Sequence, residues 1–161
     1  MRGKQAPKRK ILPDPRYQST LVAKFVNYVM REGRKLTAQR IVYDAFDLIK
    51  ERLNIDPLDV FDTAIKNVTP LIEVRGRRVG GANYQVPFPV RGERKHALTF
   101  RWVLAAARNK KRKSMAEKLA DELVAAYNKE GDAMKKRNDV HRMAEANRAF
   151  AHFARFSKRK K

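Results

Sequence analysis

Few side chains in this sequence stand at spacings that suggest acid–base or metal chemistry. His141 and Glu145 are four apart, which puts them on one helix face. A metal site needs at least a third ligand, no H-E-x-x-H pattern exists, and His96 and His152 are the only other histidines. Asp56 and Asp59 resemble a carboxylate pair, yet Asp56-Pro57 reads as a helix start and capping accounts for both. Gly80-Gly81 could cradle a phosphate, but no P-loop lysine follows and no parallel βα unit surrounds it, so a hairpin turn is the better account. Cysteine is absent, which excludes disulfides, thiolate metal cages and a thiol nucleophile. The sequence predicts no catalytic set, no metal and no cofactor.

The abundant side chains point to other chemistry. Lys and Arg number 38 against 17 Asp and Glu, a formal net charge of +21 on 161 residues. The excess is sorted along the chain. Residues 1–10 carry five basic side chains and no acid, residues 75–113 carry twelve against the single acid Glu93, and residues 155–161 carry five against none. Residues 11–74 hold nine of each sign and residues 114–154 seven of each, so the three basic segments account for the whole net charge. A surface charged only for solubility would mix its signs. Segregation on this scale predicts a polyanionic partner.

The elements that must position these charges follow from the apolar pattern. An extended basic arm over residues 1–18 runs through Pro13-Asp14-Pro15. Ser19 or Thr20 caps a first helix with Leu21, Val22, Phe25, Val26 and Val29 at helical spacing, and Gly33 ends it, leaving Arg34-Lys35 in a turn. Thr37 opens a second helix on Ile41, Val42, Ala45, Phe46, Ile49 and Leu53, and Pro57 opens a third on Leu58, Phe61, Ile65 and Val68. Alternation at Ile72 and Val74, a Gly80-Gly81-Ala82-Asn83 turn, and period two through Tyr84, Val86, Phe88 and Val90 predict a β-hairpin over 71–91. Pro87 and Pro89 bar that edge from accepting another strand.

A fourth helix from Glu93 places Ala97, Leu98, Trp102, Ala105 and Ala106 on one side, and Arg94, Arg101 and Arg108, seven apart, on a common face. The run Lys110-Lys111-Arg112-Lys113 closes it. Ser114 and Glu117 form a capping box for a fifth helix, and Asp132 caps a sixth that carries Val140, Met143, Ala144, Asn147 and Phe150. The expected architecture is mainly α: a six-helix single domain over 19–153 with a protruding two-stranded β-hairpin arm, followed by a basic tail over 154–161. No apolar run approaches the ~20 residues of a membrane span and the N-terminus lacks a signal-peptide stretch, so a soluble intracellular protein without a membrane partner is expected.

Aromatic residues lie among the basic ones: Tyr84, Phe88, Phe100 and Trp102. Spacing favours core packing for Trp102 and Phe88, while Tyr84, beside the turn, could equally pack on the ribbon or stack on a base. Charge alone does not separate RNA from DNA. A helical body with a β-ribbon arm also suits an architectural protein that bends DNA, which remains the alternative.

The motifs resemble the bacterial-type small ribosomal subunit protein seven family over nearly the whole chain. The resemblance is carried by Ile11-Leu12-Pro13-Asp14-Pro15, by Arg77-Arg78-Val79-Gly80-Gly81 with Tyr84-Gln85-Val86-Pro87, by Arg101-Trp102 leading into Ala106-Ala107-Arg108, by Ser114-Met115-Ala116, and by the stretch from Val140 to His152. It implies direct binding to the 3′ major domain of small-subunit (16S) rRNA, nucleation of head assembly, and neighbouring head and platform proteins as partners. It also implies a monomer outside the ribosome and a cytoplasmic location within the small subunit. Carried onto matching positions, rRNA would meet Lys8, Arg9, Lys10, Arg34, Lys35, Arg75, Arg77, Arg78, Arg94, Arg101, Arg108, Lys110, Lys111 and Lys113. Exit-site tRNA and mRNA would lie near Gly80, Gly81, Asn83 and Tyr84. The chain departs from the family in Thr99-Phe100, where a smaller Ala-Met pair is usual.

Overall fold

The computed structural model describes residues 9–158, with side chains to residue 154, so Lys8 and the end of the basic tail lie outside the described residues. Six α-helices and one hairpin follow in order: α1 Thr20–Val29, α2 Lys35–Leu53, α3 Pro57–Val68, β1 Ile72–Val79, β2 Ala82–Pro89, α4 Glu93–Asn109, α5 Met115–Tyr127 and α6 Asp132–Ala146. A 3₁₀ helix, Arg148–Lys158, makes seven helices where six were expected.

Local chemistry explains most boundaries. Ser19 Oγ accepts from the Val22 N–H at the start of α1, and Asp56 accepts from the Leu58 N–H ahead of Pro57. Ser114 Oγ accepts from the Glu117 N–H and donates to Glu117 Oε1, the expected reciprocal box in a variant form. Two starts differ from expectation. Helix α2 begins at Lys35 and not Thr37, with Arg34 at its cap position and no side-chain cap. Helix α6 is capped not by Asp132 but by Glu122 of α5, whose Oε1 accepts from the Ala133 N–H at 2.9 Å. Gly131, at φ +91°, is required there, because an added Cβ would lie 2.9 Å from that same oxygen.

The core is built on four phenylalanines from four helices. Phe25, Phe46, Phe61 and Phe100 are fully buried, with ring centroids 5.2 Å apart for Phe25–Phe61 and Phe25–Phe100 and 5.4 Å for Phe46–Phe61. Leu119, Ala120, Leu123 and Ala126 of α5 complete it, and α5 packs on α2, α3, α4 and α6. The buried side of α4 includes the expected Leu98 and Ala106, with Trp102 half-buried, but extends further round the helix: Phe100, Val103, Leu104 and Ala107 also face inward, while Ala105 is exposed. Helix α4 touches α1, α3, α5 and α6, so its buried face is broader than a single stripe. Phe100 is therefore core and not part of any aromatic surface. The Thr99-Phe100 departure is an interior one, with Thr99 donating to the Lys95 carbonyl.

The hairpin pairs Ile72 with Pro89 through Val79 with Ala82. The Val90 N–H donates to the Leu71 carbonyl, and counting along the register puts Pro87 and Pro89 at non-hydrogen-bonded pairs, where a missing N–H costs the ladder nothing. Helix α6 stops at Ala146, short of Phe150, as Asn147 Nδ2 donates back to the Met143 carbonyl. With three residues per turn, the 3₁₀ helix eclipses Phe150 and Phe153. Their rings lie within 10° of parallel and both pack on Tyr84, at 4.9 and 5.5 Å. The C-terminal helix thus braces the hairpin that was expected to stand free above its base.

The two neighbours Phe100 and Arg101 separate core from surface. Phe100→Ala is expected to cost about 3–5 kcal/mol by denaturant unfolding, and Arg101→Ala about 0.5 kcal/mol or less. Equal costs would show that α4 buries a different face.

Candidate nucleic-acid interface

Helix α4 carries the basic stripe. Arg94, Arg101 and Arg108 are all exposed and span about 21 Å along the axis at 1.5 Å per residue. Arg101 makes no ion pair among the described residues. At one end of the stripe, Arg94 reaches the hairpin base, where its Nε and Nη2 donate to Glu73 Oε2 at 3.1 and 2.9 Å. Arg75 donates from Nε to Glu73 Oε1 at 2.6 Å and lies over the Phe88 ring. The Glu73 side chain is only 7% exposed. Burial disfavours its charged form, but the bonds from Arg94 and Arg75 outweigh that and hold the carboxyl below its usual range.

At the other end Arg108 meets the α1–α2 turn. A groove of about 310 Å³ is lined there by Arg31, Arg34 and Arg108, with Met30, Ile41 and Met115 as its apolar wall. Burial, and then the charge of Arg31, lower the pKa of Arg108. Like charges held this close disfavour one another unless an anion sits between them. The adjoining N-terminus of α2 has no acid in its first turn and opens on Arg34-Lys35, the reverse of what a helix dipole favours. The arrangement is one that stabilises an incoming phosphate. Sequence reasoning found Arg34 and Arg108 separately and missed Arg31, whose only signal was its place two residues before Gly33.

Around the hairpin, Arg78 is exposed with no ion pair among the described residues, while Arg77 donates to the Phe153 carbonyl at 2.6 Å. Gly80 and Gly81 form the turn with φ +56° and +89°, with nothing within 4 Å of where a Cβ would stand. Asn83 beside them is exposed. Tyr84 packs on Phe150 and Phe153, which answers the open choice for the free protein in favour of packing.

The remaining basic positions divide by partner. Lys110 Nζ is 2.8 Å from Glu122 Oε2 and Lys113 Nζ is 2.6 Å from Asp121 Oδ2, whereas Lys111 and Lys35 are exposed and unpaired among the described residues. Arg34 pairs with Glu32, but both are largely exposed and such a pair contributes little. Arg9 and Lys10 are exposed, and the arm they belong to is fixed at Asp14. That carboxylate, 2% exposed, accepts from the Arg16 and Tyr17 N–H groups and from Tyr43 Oη at 2.8 Å. Burial, and then the bond to Asp14, push the Tyr43 phenol up to about 12.

His141 has a structural post. Its Nε2 accepts from the Leu71 N–H at 3.2 Å, tying α6 to the hairpin base, and burial with the nearby Arg137 lowers its pKa. The described residues hold no group of three His, Asp or Glu side chains placed to bind a metal, and no helix long and apolar enough to cross a membrane.

Comparison with known proteins gives a consistent result. The profile of the family described as Ribosomal protein S7p/S5e matches residues 1–148. The chain is 58% identical over 153 residues to the small ribosomal subunit protein uS7 of Thermotoga neapolitana, covering 95% of this chain and 99% of that one. It is 55% identical to the uS7 of Teredinibacter turnerae over 152 residues, 94% of this chain and 97% of the relative. The uS7 of Mesomycoplasma hyopneumoniae is 56% identical with the same coverage.

Glu73→Gln is expected to lower stability at neutral pH by about 1.5–3 kcal/mol, the range for bonds to a charged group. A depressed carboxylate contributes fully above its ordinary value of 4.5 and loses that contribution as pH falls through the folded pKa. The wild-type advantage in urea unfolding must therefore shrink under acid below that value, and an advantage constant with pH would remove Glu73 from this role.

Proposed function

The chain belongs to the ribosomal protein S7p/S5e family, and from that premise we propose that its α4 stripe and hairpin bind the 3′ major domain of 16S rRNA and nucleate assembly of the small-subunit head. As a family member it is a non-enzymatic structural constituent of the small ribosomal subunit, associated with rRNA in the cytoplasm. The single observation supporting the finer reading is the continuity of the stripe. Arg94, Arg101 and Arg108 join the hairpin base to the Arg31–Arg34 groove, so segments far apart in sequence offer one cationic track.

On this reading Arg78, Arg101, Arg108, Lys111, Lys35, Arg9 and Lys10 meet backbone phosphates first, because they form no ion pair among the described residues. Arg34 adds its charge at the groove, with Lys8 extending the arm. Arg75, Arg94, Lys110 and Lys113 add positive potential while their carboxylate partners hold them in place, and Arg77 does so from its bond to Phe153. Shape and phosphate contacts dominate, because the deep, narrow major groove of A-form RNA hides its base edges. The turn at Gly80, Gly81 and Asn83, with Tyr84 as its braced base, faces exit-site tRNA and mRNA, and neighbouring head and platform proteins pack around the body. Outside the ribosome the chain is a monomer.

Binding of a 3′ major domain fragment in competition with duplex DNA at near-physiological salt tests the proposal, and preference for the RNA is expected. Equal affinity for duplex DNA would favour the DNA-bending alternative. Arg101→Ala is expected to weaken RNA binding and to flatten the slope of log K against log salt by about 0.7–0.9, the value of one phosphate contact. An unchanged slope would take this helix face out of the interface.

A further inference from the structure

The run Lys110-Lys111-Arg112-Lys113 reads in sequence as four equivalent cations, and the structure makes them unequal. Lys110 reaches Glu122 Oε2 at 2.8 Å. Glu122 is fully buried and uses its other oxygen to cap α6. Lys113 donates to Asp121 Oδ2 at 2.6 Å, while Arg52 of α2 donates to Asp121 Oδ1 at 2.5 Å. The two carboxylates are consecutive residues of α5, so both ends of the loop are fastened to the helix at the centre of the core. Between them Lys111 and Arg112 are exposed with no ion pair among the described residues. Arg112 holds φ +62°, a left-handed backbone that a long side chain adopts only when its surroundings impose it.

We propose that Lys110 and Lys113 are pins, and that Asp121 and Glu122 are positioning residues that hold Lys111 and Arg112 off the end of α4 as a preformed two-cation phosphate contact. The inference rests on the rRNA reading above and assigns roles within it. Its physical basis is the cost of ordering. An unpinned loop of four cations loses backbone and side-chain freedom on meeting RNA, whereas this one is ordered in advance by ion pairs made within the protein. The two pins give up direct phosphate contact. The two cations between them continue the Arg94–Arg101–Arg108 stripe past the end of the helix.

Simple electrostatics predicts the opposite outcome for one variant. Neutralising Asp121 raises the net charge by one and releases Lys113, which on charge alone strengthens RNA binding. As a positioning residue, Asp121 must instead weaken binding when neutralised. Because Glu122 also caps α6, partly exposed Asp121 carries the test. Asp121→Asn is expected to bind a 3′ major domain fragment about three- to tenfold more weakly, the loss expected when one or two ordered side chains are set free, and Asp121→Glu is expected to restore binding.

Salt titration sorts the four cations. Lys111→Ala and Arg112→Ala should each lower the slope by about 0.7–0.9, while Lys110→Met and Lys113→Met should weaken binding with the slope unchanged. Amide hydrogen exchange on the RNA-free protein tests the pins alone, with residues 111–113 exchanging faster in Asp121→Asn while the core helices keep their protection. Tighter binding by Asp121→Asn, equal slope losses at all four positions, or unchanged exchange in the loop would each overturn the assignment. A wild-type chain that fails to bind the fragment overturns the rRNA reading itself, and the exchange measurement still judges the pins.

Discussion

Self-repulsion is the constraint the rest of this structure depends on. A net charge of +21 on 161 residues opposes compaction, so the fold turns on where its 17 carboxylates are placed. Three of them are buried, Glu73 and Glu122 where helices and hairpin meet and Asp14 at the root of the N-terminal arm. Glu73 draws Arg75 from the hairpin and Arg94 from α4 to one point, and Glu122 joins the end of α4 to the start of α6. Asp121 and Asp14 do related work at the surface of α5 and the root of the N-terminal arm. Each holds charged or donor groups from more than one element, so a few anions organise many cations.

This placement makes the carboxylates asymmetric in effect. A buried ion pair is weak evidence of net stabilisation, because desolvation opposes the attraction, yet removing one partner leaves a buried charge without compensation. At Glu73 and Glu122 each carboxylate is almost fully buried and its cation is partly in water. Loss of the cation strands a buried anion, whereas loss of the anion leaves a cation that water can solvate. A positive excess at the surface is therefore tolerated, while at each junction the cation is the costlier member of the pair to remove. Stability itself comes from the apolar core around Phe25, Phe46, Phe61 and Phe100, to which the basic segment contributes the inner face of α4 while its arginines stay on the outer one.

Much of this was legible in the sequence, and the failures have identifiable causes. Caps and turns carry local signals, so Ser19, Asp56-Pro57, the Ser114–Glu117 box and the glycine hairpin turn could be read residue by residue. The full inward side of α4 could not, because a helix touching four others has no single apolar stripe, and helical spacing left Phe100 off the expected apolar side. Phe150 was placed on α6 because a 3₁₀ helix and an α-helix differ by little in period over one turn. Basic residues were recognisable as a class. Their division into paired and unpaired depends on Glu73, Asp121 and Glu122, which meet their partners through the fold. Arg31 illustrates the same limit, since only the packing of α4 beside the α1–α2 turn brings it to Arg108.

The unpaired cations complete the argument about self-repulsion. Arg108 is disfavoured by its own burial and by Arg31 nearby, and α2 starts on two cations against its own dipole. In the free protein these arrangements are costs, offset among the described residues only by the exposed Glu32 beside Arg34 and by no buried carboxylate such as Glu73. A polyanion laid along the stripe relieves them together, because each phosphate screens a repulsion as well as adding an attraction. The protein is then more stable bound than free by mass action, and the RNA gains a rigid cationic track against which its own phosphates can approach one another. On the proposed rRNA reading, Arg31 and Arg108 oppose each other on the face that the polyanion would cover, so the arrangement that costs the free protein would favour the bound one.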